Sequence, residues 1–121
     1  MKNKILYVVI PCYNEEEVLK ETSKRLIVKF NELIKDKIIS KDSKVLFVND
    51  GSKDKTWDII CELNKENKLF SGINLSRNRG HQNALVAGLM TCKEYADVVI
   101  SMDADLQDDI NAIDDMLKDY Y

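Results

Sequence analysis

The sequence feature that most constrains the fold is an apolar run followed by two aspartates. Val98–Ile100 lead into Asp103 and Asp105, with Ala104 between the two acids. Such a run is typical of a strand buried on both faces of a parallel sheet, and ligands of these sheets bind outside the carboxyl ends of the strands. If the extended geometry persists to Asp105, the two carboxylates lie on one side, roughly 6–7 Å apart at Cα. That spacing suits a hard divalent cation, whereas the alternative is an Asp-rich helix N-terminus placed for the helix dipole.

The same alternation of an apolar run and a helical pattern occurs along the whole chain. Apolar residues at helical spacing predict a first helix that begins at Asn14 and ends between residues 35 and 40, and a last helix over about Ile110–Tyr120. The order β-α-β-α-β-α-β-α predicts an α/β fold, a three-layer α/β/α sandwich with a mainly parallel sheet and right-handed crossovers. The other strands are predicted at Ile5–Ile10, Val45–Val48 and Phe70–Leu75.

Local patterns predict how these helices begin and pack. Asn14, followed by Glu17, matches a capping box, and Ser52 or Asp54 is suited to cap the second helix. The third helix carries small residues on one face, so it can lie close to the sheet. These residues are Ala84, Ala87, Gly88 and Thr91.

Length and composition indicate one domain with a real core, since 45% of the 121 residues are hydrophobic. No apolar run reaches the roughly 18 residues that a membrane span needs. The N-terminus lacks a small-residue cleavage site, so we do not expect a signal peptide and predict a cytoplasmic protein. The three cysteines are scattered, which indicates reduced thiols and argues against a structural zinc site.

The charge is unevenly distributed along the chain. Residues 97–121 contain eight aspartates and one lysine, whereas the remainder is net positive. The acidic end can bind cations or can form a solvated helix face. No basic stripe with interleaved aromatic residues occurs, so nucleic acid is not an expected partner.

Each predicted strand ends in polar side chains, and the four ends of a parallel sheet lie along one edge. This convergence predicts a pocket that combines acids, hydroxyls and an arginine. Arg77 beside metal-binding acids suits phosphate. Asp50, set apart from the metal, suits a donor group on a ligand, such as a base imide or a ribose hydroxyl. The four groups are residues 13–15, 50–52, 76–78 and 103–105.

The same residues also have structural interpretations. Asn14 can act only as a cap, residues 50–52 only as a turn, and Tyr13 only in loop packing. The arginines of residues 76–80 can be surface charges, and His81 is expected to be a solvent-facing polar residue. Neither a P-loop nor a Gly-x-Gly-x-x-Gly fingerprint is present, so the first strand does not open a dinucleotide site.

Four segments of the chain resemble the GT-A-fold, family 2 glycosyltransferases. The resemblance is strongest to the branch that moves a sugar from a nucleotide to a polyprenyl phosphate, which includes dolichol-phosphate mannosyltransferases and bactoprenol glucosyltransferases. It implies a Rossmann-like nucleotide-binding half as the fold. The segments, in the family's order, are Val9–Glu16, Val48–Asp54, Leu75–Gly80 and Met102–Asp108.

The resemblance implies a nucleoside pocket at the first two strand ends. In that pocket Pro11, Tyr13 and Glu15 would line the nucleoside. Asp50 would hold the base, with Ser52 nearby. The donor would be a UDP- or GDP-sugar, and the sequence leaves the base and the sugar open.

The resemblance also implies a metal site at the Asp-x-Asp motif. Asp103 and Asp105 would bind the diphosphate through Mg²⁺ or Mn²⁺, Gln107 would join the metal shell, and Arg77 would lie beside the base or the phosphates. The family inverts the anomeric centre by direct displacement. The two aspartates would therefore be catalytic through the cation, which neutralises charge on the departing nucleoside diphosphate.

The chain departs from the family after this motif. Residues 108–110 read Asp-Asp-Ile where the family often has Asp-Pro-Pro, which concerns the loop path and not the metal site. Family members continue with an acceptor-binding half that supplies the general base, and this branch often adds membrane helices. The resemblance therefore implies that residues 1–121 are the N-terminal donor-binding domain of a longer enzyme. That enzyme would act at the cytosolic face of a membrane on a lipid-phosphate or glycan acceptor.

Two other functions are compatible with parts of the sequence. Haloacid dehalogenase-type phosphatases also place Asp-x-Asp after an apolar strand, but there the motif follows the first strand and its first Asp is a nucleophile. A nucleotide-binding module without turnover is the second alternative, and transfer activity present only in a longer chain would distinguish it from an enzyme. The oligomeric state is left open.

Overall fold

The computed structural model describes residues 4–105 and 110–121, which alternate between four strands and four helices. The predicted α/β class and parallel sheet are confirmed. The strands are β1 (Leu6–Cys12), β2 (Lys44–Asp50), β3 (Phe70–Leu75) and β4 (Val98–Ser101). The helices are α1 (Leu19–Lys35), α2 (Thr56–Glu66), α3 (His81–Cys92) and α4 (Ala112–Tyr120).

The strands pair in the order β3-β2-β1-β4, and every pair is parallel. In the central pair Ile10 lies opposite Phe47, and Cys12 lies opposite Asn49. Because all strands run the same way, their four carboxyl ends lie at one edge of the sheet. The loops that follow these ends are therefore neighbours.

The sheet has a core on each face. On one face, side chains of α1, α2 and α4 pack on alternate residues of the strands, and the rings of Phe47 and Phe70 stack with centroids 5.6 Å apart. On the other face, α3 packs on Val9, Leu46 and Val48. The three layers that the sequence predicted are present. Among the described residues, no helix is both long and apolar enough to cross a membrane.

The close approach of α3 to the sheet depends on its small residues. Ala84 and Gly88 are buried, as predicted, and a Cβ on Gly88 would lie 2.5 Å from Cγ1 of Val9. The third buried position is Cys92, whereas Thr91 is exposed. The buried positions are thus spaced by four residues, which moves the contact stripe by one residue from the prediction.

The predicted capping box at the start of α1 is wrong. The helix begins at Leu19, no side chain caps it, and Asn14 has a positive φ of 53°. The Asn14 side chain instead accepts a hydrogen bond from the Lys53 amide at 2.8 Å. Tertiary contact with the next loop therefore replaces local capping.

Candidate functional site

A cavity of about 280 Å³ lies at the carboxyl edge of the sheet, between the loops that follow β1, β2 and β3. It brings together Pro11, Tyr13, Glu15 and Asp50, four of the residues that the sequence singled out. The roles of these residues stay predictions, but their convergence is a property of the fold. The complete lining is Pro11, Cys12, Tyr13, Glu15, Asp50, Asn78, Gly80 and His81.

The loop after β1 is held in place through its backbone amides, which donate to side chains of the segment after β2. The Asn14 amide donates to Oγ of Ser52 at 2.9 Å, and the Glu15 amide donates to Oγ1 of Thr56 at 2.8 Å. The Glu16 amide donates to Oδ2 of Asp54 at 3.2 Å. Side chains of the second loop therefore fix the main chain of the first.

Two of these acceptors were predicted to cap α2. Ser52 does not cap the helix, because its hydroxyl accepts the Asn14 amide. Asp54 does accept the amide of Thr56, the first residue of α2, at 2.9 Å. Burial acts to raise the pKa of the Asp54 carboxyl, but hydrogen bonds from Thr56 and from the Glu16 amide outweigh it and lower that pKa.

The loop after β3 is joined to the end of β2. Asp50 is 4% exposed, and its Oδ1 and Oδ2 accept the amides of Arg79 at 2.6 Å and Gly80 at 3.1 Å. Next to it, a Cβ on Gly51 would lie 2.3 Å from the nitrogen of Asn78. The two loops therefore touch through their main chains.

Of the residues that line the cavity from this side, Asn78 belongs to the polar group predicted at residues 76–78, whereas His81 was not predicted to line a site. Asn78 and His81 both line it, whereas Arg77 is exposed and does not. His81 is exposed as predicted, yet it also faces the cavity because it begins α3 at the carboxyl edge of the sheet. The signal available in the sequence was its place directly after Gly80, at the start of a helix.

The acidic motif lies beyond the end of β4 and does not continue the strand. The chain turns at Ala104 and Asp105, so the extended geometry on which the inferred spacing of the two carboxylates depended is not present. The alternation of burial nevertheless holds, since Met102 and Ala104 are buried while Asp103 and Asp105 are exposed.

The backbone of this motif is anchored from two sides. The Met102 amide donates to the carbonyl of Val9 at 3.1 Å. The Thr22 hydroxyl, on α1, donates to the carbonyl of Ala104 at 2.6 Å. The main chain between the two aspartates is thus attached to α1, while both aspartates are exposed residues.

The electrostatics of this edge favour a cation. Burial raises the pKa of the Glu15 carboxyl, and the negative charges of Asp105, Asp54 and Asp103 raise it further. Within residues 4–105 and 110–121, no cluster of three or more His, Cys, Asp or Glu could hold a metal ion. Two carboxylates still fit Mg²⁺, which usually takes its other ligands from water and substrate phosphates. Gln107, the third predicted ligand, lies outside the described residues.

Comparisons with known proteins identify the relatives of this chain. The model of the family described as glycosyl transferase family 2 matches residues 7–120. The chain is 51% identical to YkoT, an uncharacterized glycosyltransferase of Bacillus subtilis (strain 168), over 97% of this chain and 35% of that protein. It is 37% identical to the prophage bactoprenol glucosyl transferase homolog of Escherichia coli (strain K12), over 91% of this chain and 33% of that protein. The chain thus spans about a third of the length of these curated relatives.

A solved structure shows the same fold. The mannosyltransferase PcManGT from Pyrobaculum calidifontis, in complex with GDP-Man and Mn²⁺, matches with a TM-score of 0.64 at 20% sequence identity. The match covers 85% of this chain and 28% of that one. At this identity the likeness concerns the fold alone, and it confirms the predicted GT-A type. Because the family model covers almost the entire chain, this protein belongs to glycosyl transferase family 2.

Proposed function

We propose that residues 1–121 are the donor-binding part of a metal-dependent, inverting glycosyltransferase. The enzyme transfers a hexose from a nucleoside diphosphate sugar to a polyprenyl phosphate or glycan acceptor. The observation that carries the proposal is the convergence, at one edge of the sheet, of the cavity with the exposed carboxylates of Asp103 and Asp105. Membership of glycosyl transferase family 2 supports it.

The nucleoside occupies the cavity in this proposal. Pro11 and the exposed ring of Tyr13 supply apolar contact, and Glu15 supplies a hydrogen-bond acceptor for a base or ribose donor. Ser52 acts through the loop, since it fixes the main chain next to Tyr13. The cavity is lined by both apolar and polar groups, as small-molecule sites are.

The diphosphate lies toward Asp103 and Asp105, with Arg77 free to approach it from the exposed loop after β3. Mg²⁺ or Mn²⁺ held by the two carboxylates supplies charge neutralisation for the departing nucleoside diphosphate. The hydrogen bond from Thr22 keeps the Asp-x-Asp backbone in place while both acids face the ligand. Gln107 is a further proposed ligand of the cation.

The acceptor and the general base are assigned to the part of the relatives that this chain does not span. The bactoprenol glucosyl transferase homolog supports a lipid-linked acceptor, and the mannosyltransferase with GDP-Man and Mn²⁺ supports the class of donor and cation. A lipid acceptor would place the parent enzyme at the cytosolic face of a membrane. The alternative proposal is that these residues form a nucleotide-binding module without turnover by themselves.

A thermal-shift panel tests the donor site. UDP, GDP, ADP and phosphate are each added with Mn²⁺ or with EDTA. A ligand at about 100 times its Kd stabilises the folded chain by roughly 2.7 kcal/mol. We expect one nucleoside diphosphate to raise Tm only with the metal, and Asp105→Asn to abolish the shift.

Asp58→Asn is the matched control, because it removes the same charge from an exposed position on α2. It should keep the full nucleotide shift. The donor-site proposal is wrong if no nucleotide shifts the wild-type Tm. An equal loss in both variants would instead show that net charge, and not the Asp-x-Asp motif, controls binding.

A further inference from the structure

We propose that Asp50 is a positioning residue that builds one wall of the cavity. Its carboxylate holds the amides of Arg79 and Gly80, and so places Asn78 and His81 opposite Tyr13. This inference deepens the proposed function, because it assigns the residue that shapes the same site. This role is separate from the predicted contact of Asp50 with the base, because each oxygen of an ionised carboxylate can accept a second hydrogen bond.

The two oxygens of Asp50 are already engaged. Oδ1 accepts the Arg79 amide at 2.6 Å, and Oδ2 accepts the Gly80 amide at 3.1 Å. Hydrogen bonds to an ionised acceptor are among the stronger ones in proteins. With only 4% of the residue exposed, these two amides replace the water that a carboxylate would otherwise hold.

The other hydrogen bonds of the loop that Asp50 holds are local: the Gly80 amide also donates to Oδ1 of Asn78 at 2.9 Å, and Nδ2 of Asn83 donates to the Arg79 carbonyl at 2.7 Å. All residues of Ser76–Gly80 are exposed, so apolar packing contributes little to their position. Gly80 has a φ of 92°, a conformation that glycine adopts readily, and its carbonyl accepts the amide of Ala84 in the first turn of α3. A bond at Gly80 therefore determines both where the loop ends and where α3 begins.

Gly51 sets the distance between the same two loops. A Cβ at this position would lie 2.3 Å from the Asn78 nitrogen and 2.5 Å from the Arg77 carbonyl carbon. Main chain is thus in direct contact with main chain, next to the carboxylate of Asp50. Consecutive residues at the end of β2 hold the wall that carries Asn78 and His81.

The end of β2 also organises the opposite wall. Ser52 and Thr56 accept the amides of Asn14 and Glu15, which fixes the loop that carries Tyr13. Both walls of the cavity are therefore attached to one segment, residues 50–56. A change at Asp50 is expected to move only the wall after β3, since the other wall has its own bonds.

The test is NMR spectroscopy on the ¹⁵N-labelled chain, with Asp50→Asn as the variant. Asparagine keeps one acceptor oxygen and replaces the other with an amide group, so at least one bond is lost. We expect amide exchange at Arg79 or Gly80 to accelerate by about tenfold or more. In the same variant, the Kd for whichever of Mn²⁺–UDP or Mn²⁺–GDP binds the wild type should rise by about tenfold.

Two variants serve as controls. Asp54→Asn removes a comparable acceptor from the other loop, so it should alter the amides of Thr56 and Glu16 and leave Arg79 and Gly80 unchanged. Leu33→Val destabilises the core near the end of α1, at the opposite edge of the sheet. It should leave nucleotide affinity unchanged, which separates a positioning effect from a general loss of stability.

Unchanged exchange at both amides in Asp50→Asn would overturn the proposal. Loss of nucleotide binding with both amides unchanged would also overturn it, since Asp50 would then contact the ligand directly. If Asp50→Asn does not fold, the test uses the wild-type chain. Scalar couplings should then be measured across the hydrogen bonds from the Arg79 and Gly80 amides to Cγ of Asp50, and the absence of these couplings overturns the proposal. If no nucleotide binds the wild type, the donor site is wrong while the amides still test the anchoring.

Discussion

Thr22 connects α1 to the acidic motif through one hydrogen bond. The residue is 3% exposed, and its hydroxyl donates to the carbonyl of Ala104, between Asp103 and Asp105. The sequence pattern predicts a helix over this segment. It could not reveal the partner, because the bond joins residues 82 positions apart.

Replacing Thr22 with valine tests this connection, because valine keeps the shape of the side chain and removes the donor. The buried Ala104 carbonyl is left without its partner, so Thr22→Val should lower the free energy of unfolding in urea by about 1–3 kcal/mol. It should also weaken Mn²⁺ binding in an EPR titration with nucleotide present. Thr22→Ser retains the hydroxyl and should retain Mn²⁺ affinity. Equal Mn²⁺ affinity in the valine and serine variants would contradict the role.

At the scale of elements, the contact between α3 and β1 is limited by the absence of a side chain at Gly88. The helix lies so close that an added Cβ would meet Cγ1 of Val9, a fully buried residue of a central strand. Helices with larger residues on this face would stand further from the sheet. They would therefore carry His81, at the start of α3, to a different position at the cavity.

Gly88→Val measures this constraint. Forcing extra volume into a packed interface typically costs about 1–3 kcal/mol, and we expect a loss of stability of that size. Met90→Val places the same new side chain at an exposed position of α3 and should change stability by less than about 0.5 kcal/mol. Equal stabilities of the two variants in urea denaturation would show that α3 can move away from the sheet freely.

Elements defined by their own residues were predicted well, and those shaped by other segments were not. β3 matches its predicted bounds, because its apolar run ends where the polar loop begins. The start of α1 was wrong because Asn14 binds the loop after β2. The extended path to Asp105, on which the inferred carboxylate spacing depended, is not present because Thr22 and the turn at residues 104–105 redirect the chain.

The candidate site shows the same division. Strand order alone placed Tyr13, Glu15 and Asp50 near one another, since parallel strands share an edge, and the family resemblance added Pro11. Strand order also placed Asn78 in the converging set but missed His81, whose position depends on bonds from main-chain amides to the Asp50 carboxylate.

For the whole molecule, both cores are built on the same four strands. The larger one joins α1, α2 and α4 to the sheet, and the smaller one joins α3 to β1 and β2. If either layer of helices detached from the sheet, it would expose strands that the other layer also covers. We therefore expect the two faces to unfold together.

The single tryptophan allows a direct test. Trp57 lies on α2, and its ring is so close to β3 that a Cβ added at Gly72 would lie 3.1 Å from it. The fluorescence of Trp57 therefore reports on the face of the sheet that packs against α1 and α2. Far-UV circular dichroism reports on all elements. Urea unfolding followed by both signals should give the same midpoint, as in a two-state transition. A fluorescence midpoint at lower urea would show that α2 separates before the sheet unfolds.

Most of the hydrogen bonds described between the first two loops run from amides of the loop after β1 to side chains of residues 52–56, and the exception is the Lys53 amide, which donates to Oδ1 of Asn14. This arrangement has consequences for how the proposed donor preference can change by mutation. The loop after β1 contributes mainly backbone amides, and Ser52, Asp54 and Thr56 contribute the accepting side chains. The shape of the first loop therefore does not depend on the side chains of Tyr13 and Glu15. If the proposed donor site is right, substitutions at those two positions should change the preference among bases or sugars with the loop kept intact, whereas changes to the hydroxyls and the carboxylate that hold the loop should remodel the pocket.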